Sequence, residues 1–325
     1  MPPRRTEGAA RPRAAKRAKD GRLLVAILSR NRKLHSTRRL VEATRLHGQR
    51  ARVLDTLRCQ LLVARDGHQI IYAGAPVTGV GVVIPRIGAS ITGYGLSVVN
   101  QFDMMGVPVL NNSVPIARAR DKLRALQLLS RFGIDIPRTA MCRYREQVPA
   151  ALEQVGGLPC IVKLLQGTQG VGVLIANTMN EVQGMLDTLW TLGQEILLQE
   201  LIAESRGKDV RALVVGDRVV AAMRRTARQG EFRSNLHRGG EAEGIELPPA
   251  YVEAAVKASR VIGLEVSGVD MLESRQGPKI MEVNSSPGFE GLEEATGVDC
   301  AGAIVEHAIG FARAHAQGFA KTRLI

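Results

Sequence analysis

Gly277-Pro-Lys-Ile-Met-Glu-Val-Asn-Ser-Ser-Pro-Gly288, taken with Gly268-Val-Asp-Met-Leu-Glu273 just upstream, is the stretch on which the fold turns. Both runs are apolar and suit β-strands, and Ser274-Arg-Gln-Gly277 between them supplies turn residues. Side chains alternate faces along a strand, so Glu282 and Asn284 share one face. A hairpin centred near Gln276 sets Asp270 opposite Glu282. Two carboxylates about 4 Å apart repel by roughly 4 kcal/mol at an effective dielectric near 20. A buried strand face tolerates that only with a cation between them. Hard oxygen donors in the order Asp, Glu, Asn, without His or Cys, suit Mg²⁺ or Mn²⁺ shared with phosphate oxygens. The alternative is an ordinary edge hairpin with its polar face in water.

Working outward, Leu158-Pro-Cys-Ile-Val-Lys-Leu-Leu165 reads as a strand with one lysine in its middle. Gln166-Gly-Thr-Gln-Gly-Val-Gly172 and a second strand, Val173–Ala176, follow it. A lysine in an apolar run costs desolvation free energy unless an anion meets it. Glycines between two strands let backbone N–H groups approach phosphate oxygens. No Lys-Ser or Lys-Thr follows them, which excludes a Walker A loop, and no helix opens directly after them, which excludes a dinucleotide fingerprint. A phosphate-binding flap explains lysine and glycines together. A snorkelling Lys163 on an edge strand beside a plain glycine hairpin is the alternative.

The chain has 325 residues, enough for two or three domains. With 45% hydrophobic residues and a mean hydropathy near zero it reads as soluble and globular. No apolar run reaches membrane-spanning length. Cys59, Cys142, Cys160 and Cys300 are scattered and the six histidines form no HExxH, so neither a zinc site nor a disulfide framework is expected, and a reducing cytoplasm fits. The formal net charge is +13. Residues 1–20 hold seven basic and two acidic side chains and lack an apolar core, so they read as a disordered basic tail rather than a secretory signal. The remainder, at roughly +8, favours acidic substrates or a nucleic-acid-rich partner.

Strand runs at Arg22–Leu28, Ala51–Leu54 and Val80–Pro85, with helical periodicity over Thr37–His47, predict a small parallel α/β domain over 21–116. Its strand ends at Ser29-Arg30 and Arg86 would line a crevice at the carboxyl edge of the sheet. Further on, the spacing predicts helices over Ala119–Phe132, Asn180–Leu192, Tyr251–Gly263 and Ala301–Ala316, and strands over Glu195–Ile202, Val210–Val215 and Arg218–Met223.

Together with Val83-Ile-Pro-Arg-Ile-Gly88, Ala117-Arg-Ala-Arg-Asp-Lys-Leu123 and Phe232-Arg-Ser-Asn-Leu-His-Arg-Gly-Gly240, these motifs resemble the ATP-grasp superfamily of carboxylate–amine ligases. Within it the chain, from about Arg22 to Arg313, resembles the RimK family, which adds glutamate to the C-terminus of the sixth small-subunit ribosomal protein. The resemblance implies an α/β (α+β) ATP-grasp fold: a pre-ATP-grasp domain over 21–116, a small subdomain with the flap over 117–198, a large subdomain with the metal site over 199–316, and a tail over 317–325. It implies an ADP-forming ligase that uses ATP and Mg²⁺, two ions with Mn²⁺ as a substitute. Lys122 and Lys163 would contact phosphates, with Gly167, Thr168, Gln169, Gly170 and Gly172 in the flap. Glu200 and Leu201 would hold adenine, and Asp209 would lie near the ribose. Arg233, Ser234 and Asn235 would stand beside the γ-phosphate, with Arg233 and Lys163 catalytic. Asp270, Glu282 and Asn284 would bind metal, and Arg225, Arg238 and Arg86 would contact substrate. His237 would be a loop hydrogen-bonder or a proton shuttle. Arg224 and Arg225 are expected to be partly solvated, and Glu273 to face away from Asp270. The implied partners are L-glutamate, an acidic ribosomal-protein tail, the ribosome through the basic tail, and further copies of the chain. Leu201 departs from the aromatic residue usual in the family, and the basic tail lies outside its pattern. Competing readings are a relative acting on a cofactor, carrier protein or peptide, and a nucleotide-dependent ribosome-binding protein.

Overall fold

The computed structural model describes residues 21–165, 172–228 and 240–322. They divide into two compact units, residues up to 116 together with those from 301 on, and residues 117–300. Residues from Ala301 on, most of the final helix, group with the first unit.

In the first unit, β1 (Leu24–Leu28), α1 (His35–Leu46) and β2 (Arg50–Leu54) are followed by β3 (Gln60–Ala64), β4 (Gly67–Tyr72), β5 (Ala75–Pro76) and β6 (Val82–Pro85). The apolar run of β1 is central in a parallel sheet ordered β2-β1-β6, as the buried-strand pattern predicts. Ser29 N–H donates to Leu54 O (3.0 Å) and Arg86 N–H to Leu28 O (2.8 Å), so Arg30 and Arg86 both leave the carboxyl edge of this sheet. Two further features were not assigned from sequence. β3, β4 and β5 form a separate antiparallel sheet, and Thr92–Met104 is a helix, α2, despite its opening Thr-Gly-Tyr-Gly. Gly95 has a packing reason, because a Cβ there would lie 2.5 Å from Ile87 Cγ2.

The boundary between the units falls within α3 (Ser113–Arg120), and in the second unit α4 (Lys122–Arg131) starts afresh. The single helix expected over 119–132 is therefore split. Asp121 is extended, and its Oδ1 accepts from Arg124 N–H (3.0 Å), an N-cap that puts Lys122 in the first turn. Next come β7 (Thr139–Ala140), α5 (Val148–Gln154), β8 (Cys160–Leu164), β9 (Val173–Ala176), α6 (Met179–Thr191) and β10 (Ile196–Glu200). The antiparallel sheet β7-β10-β8-β9 buries Val162 and Leu198 with Leu152 of α5 and Leu186 of α6.

The second sheet is built from β11 (Lys208–Val215), β12 (Arg218–Thr226), β13 (Glu241–Gly244), β14 (Val266–Ser274) and β15 (Gly277–Asn284), in the order β13-β12-β11-β14-β15. Its strands alternate except at two register shifts, one in the β11–β12 pair and one in the β14–β15 pair. Val210, Ala212, Val269, Met271 and Ile280 point to one face and pack with Ala258 and Ile262 of α7 (Pro249–Ile262) and Leu129 of α4. The other face is left for polar residues. α8 (Glu290–Thr296) and α9 (Cys300–Thr322) complete the described chain. All four cysteines are free, and among the described residues no helix is long and apolar enough to cross a membrane.

Candidate active site

The β14–β15 hairpin sets Asp270 opposite Glu282 and Gly268 opposite Asn284, the pairing expected from sequence. It reaches that pairing by a different route. The turn is Arg275-Gln276 between paired Ser274 and Gly277, and strict pairing from there would put Asp270 opposite Met281. A β-bulge between Met271 and Asp270 inserts one extra residue on β15, so that Ile280 faces the core and Glu282 the polar side. Glu273 turns the other way, as alternation predicts, and accepts from Arg224 Nε (3.0 Å) and Nη2 (2.8 Å).

The polar face continues across the sheet as a ladder of charge. Arg225 lies opposite Asp209, Arg211 sits two residues beyond Asp209 on the same face, and Asp270 lies opposite Arg211. Arg211 grips Asp270 side-on in a bidentate pair, Nε donating to Oδ1 and Nη2 to Oδ2, each at 2.6 Å. Arg225 Nε donates to Asp209 Oδ1 (2.7 Å), and its Nη2 makes a short bond to Asp209 Oδ2 and lies 3.4 Å from Asp270 Oδ2. Burial alone would raise the pKa of Asp270, but the two guanidinium groups hold it below the usual carboxylate range.

Two expectations are corrected here. Arg225 is buried, only 3% exposed, rather than partly solvated, because register carries it onto the enclosed row, where its guanidinium bonds Asp209 and lies against Asp270. The cations that offset Asp270 inside the protein are these arginines, so carboxylate repulsion does not by itself demand a metal. Arg211 was not singled out from sequence, although its place two residues after Asp209 in an otherwise apolar strand marks it for the same face.

Across a crevice from Glu282 stands Lys163, on the face of β8 turned away from α5 and α6. It is 7% exposed and paired laterally with Leu197 and Val173. Lys122, on α4, donates its Nζ to Leu164 O (3.0 Å), at the root of the glycine-rich segment. Gly172 closes that hairpin at φ +79°, where a Cβ would lie 2.4 Å from Leu164 Cδ1. Burial lowers the proton affinity of Lys163, Lys122 and Arg120, and the charge of Glu282 opposes it in all three. Arg120 is a member of the site that the sequence motif contained but did not single out. Five cations (Arg120, Lys122, Lys163, Arg211, Arg225) thus meet three carboxylates (Asp209, Asp270, Glu282). The surplus suits a polyanion.

At the end of β10, Glu200 Oε2 accepts from Arg138 N–H (3.0 Å), and Leu201 is half-buried beside it. Arg86 belongs to the first unit. Gly167, Thr168, Gln169, Gly170, Arg233, Ser234, Asn235, His237, Arg238 and the basic tail lie outside the described residues.

The residues present fit Mg²⁺. Asp270, Glu282 and Asn284 offer hard oxygens on one face of one hairpin, and Asn284 Nδ2 lies 3.4 Å from Asp270 Oδ2. Among the described residues no three His, Cys, Asp or Glu side chains gather into a metal cage. Two carboxylates and an amide are too few to hold the ion alone, which suits Mg²⁺ completed by phosphate oxygens.

Comparison with known proteins accords with this chemistry. Residues 119–308 match the RimK-like ATP-grasp domain and residues 23–116 the RimK pre-ATP-grasp domain. A probable alpha-L-glutamate ligase of Pseudomonas aeruginosa is 53% identical over 283 residues, covering 87% of this chain and 94% of that protein. One from Thioalkalivibrio sulfidiphilus is 53% identical over 291 residues, covering 90% and 97%. Among solved structures, the ATP-grasp ligase PsnB with a minimal precursor aligns at TM-score 0.72 and 22% identity over 89% of this chain and 99% of that one. A RimK-domain ATP-grasp protein from Sphaerobacter thermophilus aligns at 0.65 and 22% over 88% and 99%.

Proposed function

The chain belongs to the RimK family of ATP-grasp ligases, and from that premise we propose that it joins L-glutamate to the C-terminal carboxylate of an acidic protein tail, that of the sixth small-subunit ribosomal protein. ATP-grasp ligases of this kind use ATP and Mg²⁺ and form ADP. The acceptor carboxylate takes the γ-phosphoryl group, the glutamate amine attacks the resulting acylphosphate, the C–N bond forms, and phosphate leaves as the amine loses its proton. Phosphorylation is needed because a carboxylate oxygen is otherwise a poor leaving group.

The observation that carries this reading is the surplus of buried positive charge between Lys163 and the Asp270–Glu282 hairpin. Such transfers call for charge neutralisation and alignment more than covalent help. Lys163 and Lys122 would bind phosphate oxygens, and Asp270, Glu282 and Asn284 would hold Mg²⁺, which when bound neutralises charge on those oxygens. Lys122, tied to the backbone at Leu164, would register the flap against the nucleotide. Glu200 and Leu201 would border adenine, and Arg233, Ser234 and Asn235 would face the transferred phosphoryl group. Arg238 and Arg86 remain proposed substrate contacts, and the basic tail a proposed ribosome contact. A cytoplasmic setting accords with a ribosomal acceptor.

The test is mass spectrometry of ribosomal proteins incubated with enzyme, ATP, Mg²⁺ and glutamate. Glutamate added to the C-terminus of the sixth small-subunit protein supports the acceptor. Addition only to a free peptide or carrier protein transfers the reading to another ligase of the family. ATP consumption that needs neither glutamate nor acceptor contradicts ligation.

A further inference from the structure

The sheet that carries the hairpin is mostly apolar on one face and bears a largely enclosed row of four charges on the other. Arg225, Asp209, Asp270 and Arg211 follow one another across three strands, and all but Arg211 are at most 3% exposed. Stability alone does not account for the row. Buried ion pairs recover little more than their desolvation cost, and apolar side chains of similar volume stabilise at least as well. Most of the other face of the same strands is apolar, with Val210, Ala212, Val269, Met271 and Ile280 in the core and the Arg224–Glu273 pair toward its margin.

What the row does provide is direction. Asp270 is clamped from one side by the fork of Arg211 and approached from the other by Nη2 of Arg225, which also holds Asp209. Both carboxylates are fixed by one planar group that presents donors along two edges, which a lysine cannot reproduce. Resting on the nucleotide-and-metal reading above, we infer that Arg225 is a positioning residue for the metal-bearing carboxylate. It locks Asp270 to Asp209 so that the phosphate end and the ribose end of the nucleotide site are set before ligand arrives. Arg225 touches neither ion nor nucleotide in this role. Partners of metal ligands act in this way by fixing the ligand's orientation, and their loss weakens metal affinity by about 10- to 100-fold.

The experiment is calorimetric titration of Mn²⁺ into the full-length protein at saturating ADP, for wild type, Arg225→Lys and the paired variant Asp209→Asn/Arg225→Met, with thermal melting of each. The paired variant removes both charges together and guards against a single variant that fails to fold. The expected result is that both variants bind Mn²⁺ about tenfold or more weakly than wild type, and that the paired variant does so while melting near the wild-type temperature. Restored Mn²⁺ affinity in the paired variant would show that Arg225 only offsets the charge of Asp209, and wild-type affinity in Arg225→Lys would show that the fork is unnecessary. Either result overturns the inference. Absence of Mn²⁺ binding by wild type with ADP would strike the metal reading itself, and is distinguishable because the variants then do not differ from it.

Discussion

Lys163 shows how one side chain links sequence to chemistry. Its neighbours in β8 alternate apolar residues into the core, so the same alternation turns the ammonium to the opposite face, where it is enclosed and faces Glu282. A buried ammonium with depressed proton affinity gains from any phosphate that reaches it. Lys163→Ala should therefore weaken ATP binding and slow turnover by roughly 10²-fold, the scale of losing a preorganised charge stabiliser. Lys163→Arg should fail as well, since a planar fork does not replace a compact ammonium. Calorimetry of ATP binding together with turnover checks both; unchanged ATP affinity in Lys163→Ala would make the lysine structural. Arg225 gives the opposite lesson. Read from sequence it could be a solvated substrate contact, and only the register of β12 against β11 reveals that it is spent on two carboxylates.

At the scale of elements, strands that read as apolar runs bounded by turn residues were legible and the others were not. The β14–β15 hairpin, the β8 and β9 strands and β1 announce themselves by apolar runs broken at turns. β3 (Gln-Leu-Leu-Val-Ala) has no alternation, β13 (Glu-Ala-Glu-Gly) is a charged edge strand, and α2 opens with two glycines, so tertiary contacts decide all three. The bulge in β15 was invisible too, and the Asp270–Glu282 pairing was reached from sequence because a hairpin centre placed half a residue too far on shifts the pairing by one and so cancels an inserted residue. On the other face of that hairpin, hydrogen bonds from Arg224 hold the Glu273 carboxyl below its ordinary range, against partial burial. A carboxylate with a lowered folded-state pKa contributes stability above its unfolded value, 4.5, and loses it as pH falls through the folded value. Glu273→Gln should thus flatten the acid limb of the stability curve below about pH 4.5 and leave neutral stability within about 1 kcal/mol, as fits a half-exposed pair. Chemical denaturation from pH 3 to 7 measures it, and an unchanged acid limb would mean that the pair does not bear on stability.

Across the whole molecule, a net charge of +13 faces a proposed acceptor that becomes more acidic with each glutamate added. Attraction of that kind is screened by salt, with a Debye length of about 8 Å at physiological ionic strength. The apparent KM for acceptor should rise with salt, glutamate should be preferred over glutamine, and more than one residue should be added. Incorporation of labelled glutamate and glutamine over a salt series tests this, and equal use of glutamine or indifference to ionic strength would remove charge from the account of specificity. The central claim is narrower: Glu282, opposite Asp270 on one hairpin and facing Lys163 across the crevice, serves ATP-driven ligation rather than the fold. The direct measurement is Mg²⁺-dependent incorporation of labelled glutamate by Glu282→Gln, with thermal melting of the same sample. The account predicts wild-type melting and incorporation reduced at least about 10²-fold. Near-wild-type incorporation by a normally folded Glu282→Gln protein would contradict it.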